Sequence, residues 1–154
     1  MEAERFDNLA LAVLEMCREH GARVILNTSI EQARMLHADG LHLSQQRSRR
    51  LRSEDWDGSL RLGISCHAAQ ELRAALEYTP DYVCLGPVQE SATHPGVAPL
   101  GWQTFAALAA TSPVPVYAIG GLKPGDLETA RHHGAHGIAA IRSLWDLDQL
   151  SESS

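Results

Sequence analysis

The strongest constraint on the fold of this chain is an alternation repeated along its length: a short, continuously apolar run, then a stretch with helical periodicity. Val24–Leu26, Leu41–Leu43, Leu62–Ser65, Tyr82–Leu85, Val116–Ile119 and Gly137–Ile141 read as strands, brief and apolar as strands covered on both faces are. Ile30–Ala38, Ala68–Tyr78, Trp102–Ala110 and Gly125–His133 read as helices between them. The chain opens on a further helix, Glu4–His20, with apolar positions at Phe6, Leu9, Ala10, Val13, Leu14, Met16 and Cys17 and Gly21 as its stop. Gln45–Asp57, polar and arginine-rich, shows no clear periodicity. Parallel strands need crossover helices, so such alternation with short connections predicts an α/β fold with a parallel sheet.

The order of the last segments, strand, long loop, helix, strand, Gly-Gly, helix, strand, is how the phosphate end of a TIM-type (β/α)8 barrel is built. Closure needs eight strands, and six are legible here. The expectation is therefore an incomplete barrel of about six βα units. Because the chain opens on a helix, its first two strands are expected to be absent. Val24–Leu26 and Gly137–Ile141 would then be unpaired edges, which invite a second copy of the chain or an upstream fused domain to complete the barrel. One domain is expected over residues 1–148, followed by a frayed tail, 149–154.

The 154 residues are 44% hydrophobic and 21% charged, enough for one real core. A net charge of −6 argues against a nucleic-acid or anionic-membrane binder, which needs a positive field over much of its surface, so any anion site must be local. Cys17, Cys66 and Cys84 are odd in number and lack metal or disulfide spacing, as reduced thiols do. With no long apolar run and no signal-like N-terminus, the expected location is the cytoplasm.

Three stretches carry the candidate chemistry. The loop from Gly86 to Gly101 holds Ser91, Thr93 and His94; Gly120 and Gly121 follow a strand; Arg142 ends the last one. Small and hydroxyl residues at strand ends let backbone N–H groups approach an anion closely, and an arginine suits a bidentate one. Serine and threonine in a Pro/Gly-rich loop are, on the bland reading, turn residues, and Gly-Gly simply a tight turn. Asn27, Gln45 and Ser65, at or beside strand ends, are further pocket candidates. His42, His67 and His94 lie at or just beyond strand C-termini; His67 and His94 are weak candidates for acid/base catalysis. Their separations are long and no carboxylate is evident beside two of them, so no metal site is assigned. His132, His133 and His136 fall on the opposite rim. Arg47, Arg49, Arg50 and Arg52 form a basic run that is either a solvated loop or a device for anionic substrates or acidic partners. Cys66 and Cys84 are expected to pack as small apolar groups, and Trp56, Trp102 and Trp145 to anchor helices.

Asp81-Tyr82-Val83-Cys84-Leu85-Gly86-Pro87, the Ser91–Gly96 loop with Pro99-Leu100-Gly101, and Val116–Gly121 occur in an order that resembles the thiamine phosphate synthase/TenI superfamily of (β/α)8 barrels. The resemblance runs from Ala22 to Trp145, more weakly through Asp39–Leu43 and Gly63–His67. Gly137–Arg142 with Trp145 is similar to the synthase-like domain found behind a Nudix hydrolase domain in some bacterial proteins. The resemblance implies that a small phosphorylated ligand, thiazole phosphate or thiamine phosphate, meets Ser91, Thr93, the Gly120-Gly121 amides and the end of the last strand. It also implies Mg²⁺ as cofactor only if synthase chemistry survives, because the family's Asn-Asp pair is Asn27-Thr28 here and its second magnesium carboxylate falls near Arg47. The family's Gln-x-Arg-x-Lys diphosphate strand would precede Met1, its loop lysine is His94, its last-strand serine is Arg142, and the tautomerase histidine is Pro87. Three readings stand: a thiamine-metabolism protein, a synthase-like transferase or thiazole tautomerase-like isomerase if active; a non-catalytic ligand-binding or interaction module of a Nudix fusion; and another phosphate-binding barrel with an unrelated substrate, which keeps the fold and changes only the rim.

Overall fold

The computed structural model describes residues 2–52, 54, 56–91, 96–140 and 143. Of the residues singled out above, Thr93, His94, Arg142 and Trp145 lie outside this set, as does the tail 149–154. The chain divides into two compact units, Met1–Ile64 and Ser65–Ser154.

In the first unit α1 (Glu2–Glu19) leads to β1 (Ile25–Leu26), α2 (Ile30–Met35), β2 (Gly40–Leu43), α3 (Gln45–Ser48) and the start of β3 (Arg61–Cys66). β1 pairs in parallel with β2, and β2 with β3, His42 lying opposite Gly63. Leu14, Ala33, Leu41, Leu62 and Ile64 are fully buried and form its core. Each connection is closed locally: Ser29 caps α2 through the Gln32 N–H, and His37, with φ of 52°, turns the chain after it.

The second unit takes the end of β3, α4 (Ala69–Leu76), β4 (Tyr82–Leu85), α5 (Gly101–Ala109), β5 (Val116–Ile119), a 3-10 turn at Pro124–Asp126, α6 (Leu127–His132) and β6 (Gly137–Ala139). β4, β5 and β6 are parallel neighbours in chain order. Val83, Leu85, Phe105, Ala118 and Ala130 fill the core. Trp102 stands edge-on to Phe105 and stacks on His133, the helix-anchoring role expected of it. Tyr117 of β5 stands edge-on to both Tyr82 and His136.

Two expectations need correction. Gln45–Asp57 contains a helical turn, α3, capped by Ser44, whose hydroxyl accepts from the Arg47 N–H at 3.3 Å. It buries no residue, so no apolar period could announce it. The apolar positions of α1 divide: Ala10 and Leu14 are buried, whereas Phe6, Leu9, Val13 and Met16 are exposed. Seven apolar positions spread over more of the helix surface than this unit covers.

Candidate functional site

In the second unit everything turns on Gly86, directly after β4. Its N–H donates to the Cys66 carbonyl at 3.1 Å, and a Cβ on it would collide with the Ile119 carbonyl oxygen, so only glycine brings the two backbones this close. The next residues are laced to the end of β5: the Val88 N–H donates to Ile119 O at 2.9 Å and the Gln89 N–H to Gly120 O at 3.1 Å. Leu100 and Gly101 return to donate to Pro87 O and Val88 O at 2.8 and 3.0 Å. The loop leaves and re-enters through one hydrogen-bonded root, and Ser91 stands half-buried just beyond it.

Gly120 and Gly121 press against that root. Their φ angles are 96° and 72°; a Cβ on Gly120 would lie 2.5 Å from Pro87 Cα, and one on Gly121 would meet the Glu90 carbonyl. The tight-turn reading is therefore part of their role. Yet among the described residues no acceptor takes the N–H of either glycine. Two consecutive backbone donors beside the Ser91 loop are suited to an anion's oxygens.

His67, the residue after β3, belongs to the same root. Its backbone N–H donates to Glu71 Oε2 at 2.7 Å and its Nδ1 lies 2.5 Å from the Gly86 carbonyl oxygen. A carbonyl only accepts, so Nδ1 carries the hydrogen in this contact. Glu71 was not anticipated; its signal was a carboxylate in the first turn of the helix that follows His67. Ser65 sits half-buried in β3. His42 is the penultimate residue of β2, near its C-terminal end as expected, and burial lowers its pKa. Burial likewise pushes the Cys66 thiol up to about 12 and that of Cys84 to about 11, as befits apolar packing.

In the first unit the strand ends carry Asn27 and Thr28 after β1, and Ser44, Gln45 and Arg47 after β2. Arg47 Nη1 donates to both Asn27 O and Asn27 Oδ1, at 3.1 and 3.2 Å. Thr28 is buried and donates from its hydroxyl to Gln32 Oε1, while Gln32 Nε2 reaches Asp7 Oδ1 at 2.6 Å. Gln45 offers its carbonyl to the Ser48 hydroxyl at 2.9 Å.

A family model described as thiamine monophosphate synthase matches residues 1–144. The chain belongs to the thiamine monophosphate synthase family. The thiamine-phosphate synthase of Nostoc punctiforme is 34% identical over 136 residues, covering 88% of this chain and 39% of the relative. That of Caldicellulosiruptor saccharolyticus is 29% identical over 151 residues, 92% of this chain and 65% of the relative. This family member thus spans about two fifths of the length of the first of these relatives. In structure it is similar to a thiamine phosphate pyrophosphorylase from Pyrococcus furiosus, with a TM-score of 0.76 at 20% identity over 97% of this chain and 73% of the other. That likeness is one of fold, the TIM-like α/β class expected from the strand-helix alternation.

Magnesium, which the family resemblance implies, does not fit the residues present. A hard divalent cation seeks carboxylate oxygens. At the two positions concerned the chain offers a buried threonine already bound to Gln32, and an arginine whose guanidinium occupies the Asn27 oxygens. Among the described residues no group of three or more His, Cys, Asp or Glu side chains could hold a metal. No helix among them is long and apolar enough to cross a membrane.

Proposed function

We propose that this member of the thiamine monophosphate synthase family binds the phosphate of a thiamine precursor or product, thiazole phosphate or thiamine phosphate, at the strand ends of its second unit. The observation that carries this reading is the pair of N–H groups on Gly120 and Gly121, which no acceptor among the described residues takes, packed against the root of the Ser91 loop. Hydroxyl and amide donors hold phosphate oxygens without the desolvation cost of a buried cation. Thr93 and Arg142 are proposed to complete the donor set. His67, held through Nδ1 by the Gly86 carbonyl, is proposed to stand beside the bound ester as a group that exchanges a proton with it.

Titration calorimetry with thiazole phosphate and with thiamine phosphate tests the reading. Micromolar binding, weakened at least tenfold by a combined Ser91→Ala/Thr93→Ala/Arg142→Ala variant that retains its circular dichroism, is expected. No heat from the folded chain with either ligand would remove the phosphate site. Formation of thiamine phosphate by the chain alone with Mg²⁺ is not expected, since the family resemblance implies carboxylates for the metal at the positions of Thr28 and Arg47, whose side chains bond to Gln32 and Asn27 instead. The same two residues favour a second reading, a ligand-binding module without turnover, for which a Nudix hydrolase domain is the proposed companion.

A further inference from the structure

We infer that α1 is an interaction surface for a second copy of this chain, the two helices pairing antiparallel through the row Phe6, Leu9, Val13 and Met16 about a two-fold axis midway along the helix. These four residues follow one another at separations of three, four and three, the spacing of a coiled-coil seam. The helix carries a second row with the same spacing, one residue further on: Asp7, Ala10, Leu14 and Cys17. That second row is the one its own unit covers, with Ala10 and Leu14 buried and Asp7 and Cys17 half-buried. The first row faces outward beside it. Phe6 and Val13, on the side nearer the buried row, are each 37% exposed, whereas Leu9 and Met16, further round the helix, are 65% and 62% exposed. Two apolar seams on one helix need two partners, and the unit supplies one.

Charge selects the partner and its direction. The outer flank of the seam, away from the buried row, carries Arg5, Ala12 and Glu19 at intervals of seven residues, all three exposed. Among the described residues neither Arg5 nor Glu19 has an ionic partner. In an antiparallel pair Phe6 meets the partner's Met16 and Leu9 meets the partner's Val13. On that alignment the flank sets Arg5 beside the partner's Glu19, sets Glu19 beside the partner's Arg5, and brings the two small Ala12 side chains together at the middle. A two-fold axis makes each contact twice, which is how one patch becomes complementary to itself. A parallel pair would set Arg5 against Ala10 and Ala12 against Cys17, with no opposite charges facing. Leu11, also exposed at 49%, lies on the far side of the helix from the seam and takes no part. A single helix pair buries less than a standard interface, so the dimer is a reversible one of micromolar affinity. α1 belongs to the first unit and the Gly120-Gly121 donors to the second, so dimer and phosphate site stand or fall separately.

Sedimentation equilibrium of the whole chain, from about 1 to about 200 μM, tests the pairing. A monomer–dimer equilibrium is expected, its dissociation constant raised at least tenfold in Leu9→Gln/Met16→Gln. Leu11→Gln removes an equally exposed apolar side chain off the seam and should leave the equilibrium unchanged. Arg5→Glu and Glu19→Arg should each weaken the dimer by about tenfold, because each sets like charges face to face twice. The double variant Arg5→Glu/Glu19→Arg should restore it, a rescue that only the antiparallel alignment gives. The charge variants alter exposed groups alone, so they decide the matter should the apolar double variant fail to fold. A chain that stays monomeric at the highest concentration overturns the inference and assigns the seam to a different partner. A dimer indifferent to Leu9→Gln/Met16→Gln, one lost equally in Leu11→Gln, or one that the charge swap does not rescue overturns it as well.

Discussion

Nδ1 of His67 lies 2.5 Å from the carbonyl oxygen of Gly86, nineteen residues further along the chain. One residue therefore holds both the ring of the histidine and the root of the long loop, since Gly86 must also pass the Ile119 carbonyl with no room for a side chain. Gly86→Ala is expected to destabilise the protein by about 3 kcal/mol, in the upper range for overpacking against backbone. Thermal denaturation checks it, and an alanine variant that melts with the wild type would mean that the root shifts at no cost.

Gly121 and Gly125 should respond differently to the same change. Gly121 has φ of 72°, and its added Cβ would sit 2.9 Å from Gln89 Cβ as well as against the Glu90 carbonyl; Gly125 has open space around it and no positive φ. Gly121→Ala is expected to cost about 2 kcal/mol and to weaken phosphate-ester binding. Gly125→Ala should lie within about 0.5 kcal/mol of the wild type. Equal melting temperatures for the two variants would contradict the packing described.

The burial of His42 makes stability depend on pH. Its pKa is lowered from the ordinary 6.5 because the charged ring would lose its hydration. As pH falls through about 6.5 the unfolded chain takes up a proton that the folded chain resists, so stability rises with pH across this range and is lost on acidification. Urea midpoints measured from pH 8 to pH 5 should fall, and His42→Gln should flatten that slope. A slope unchanged by the substitution would assign it to other groups.

Thiol reactivity should separate the three cysteines. Cys66 and Cys84 are buried with thiols raised to about 12 and about 11, whereas Cys17 is half-buried on α1. Thiolate is the reactive form, so an aromatic disulfide reagent at pH 8 should modify one thiol per native chain quickly and the other two only on unfolding. Three fast equivalents would show that β3 and β4 open readily.

Local pattern wrote the elements of this fold. The apolar runs at Leu41–Leu43, Tyr82–Leu85 and Val116–Ile119 and the periodic stretches between them suffice to specify parallel strands joined by helices, because strand and helix periods are properties of neighbouring residues. Gly86, Gly120 and Gly121 were conspicuous for the same reason, as glycines at the ends of such runs. What lay beyond local pattern is which side chains meet. The register that sets His42 opposite Gly63, the pairing of Arg47 with Asn27 from twenty residues away, the bond from His67 to Gly86, and the exposure of Leu9 and Met16 on an otherwise convincing helix face all depend on how successive strands align after each crossover. A crossover of helix and loops carries no fixed sequence distance between the residues it brings together, so only the tertiary structure could decide them.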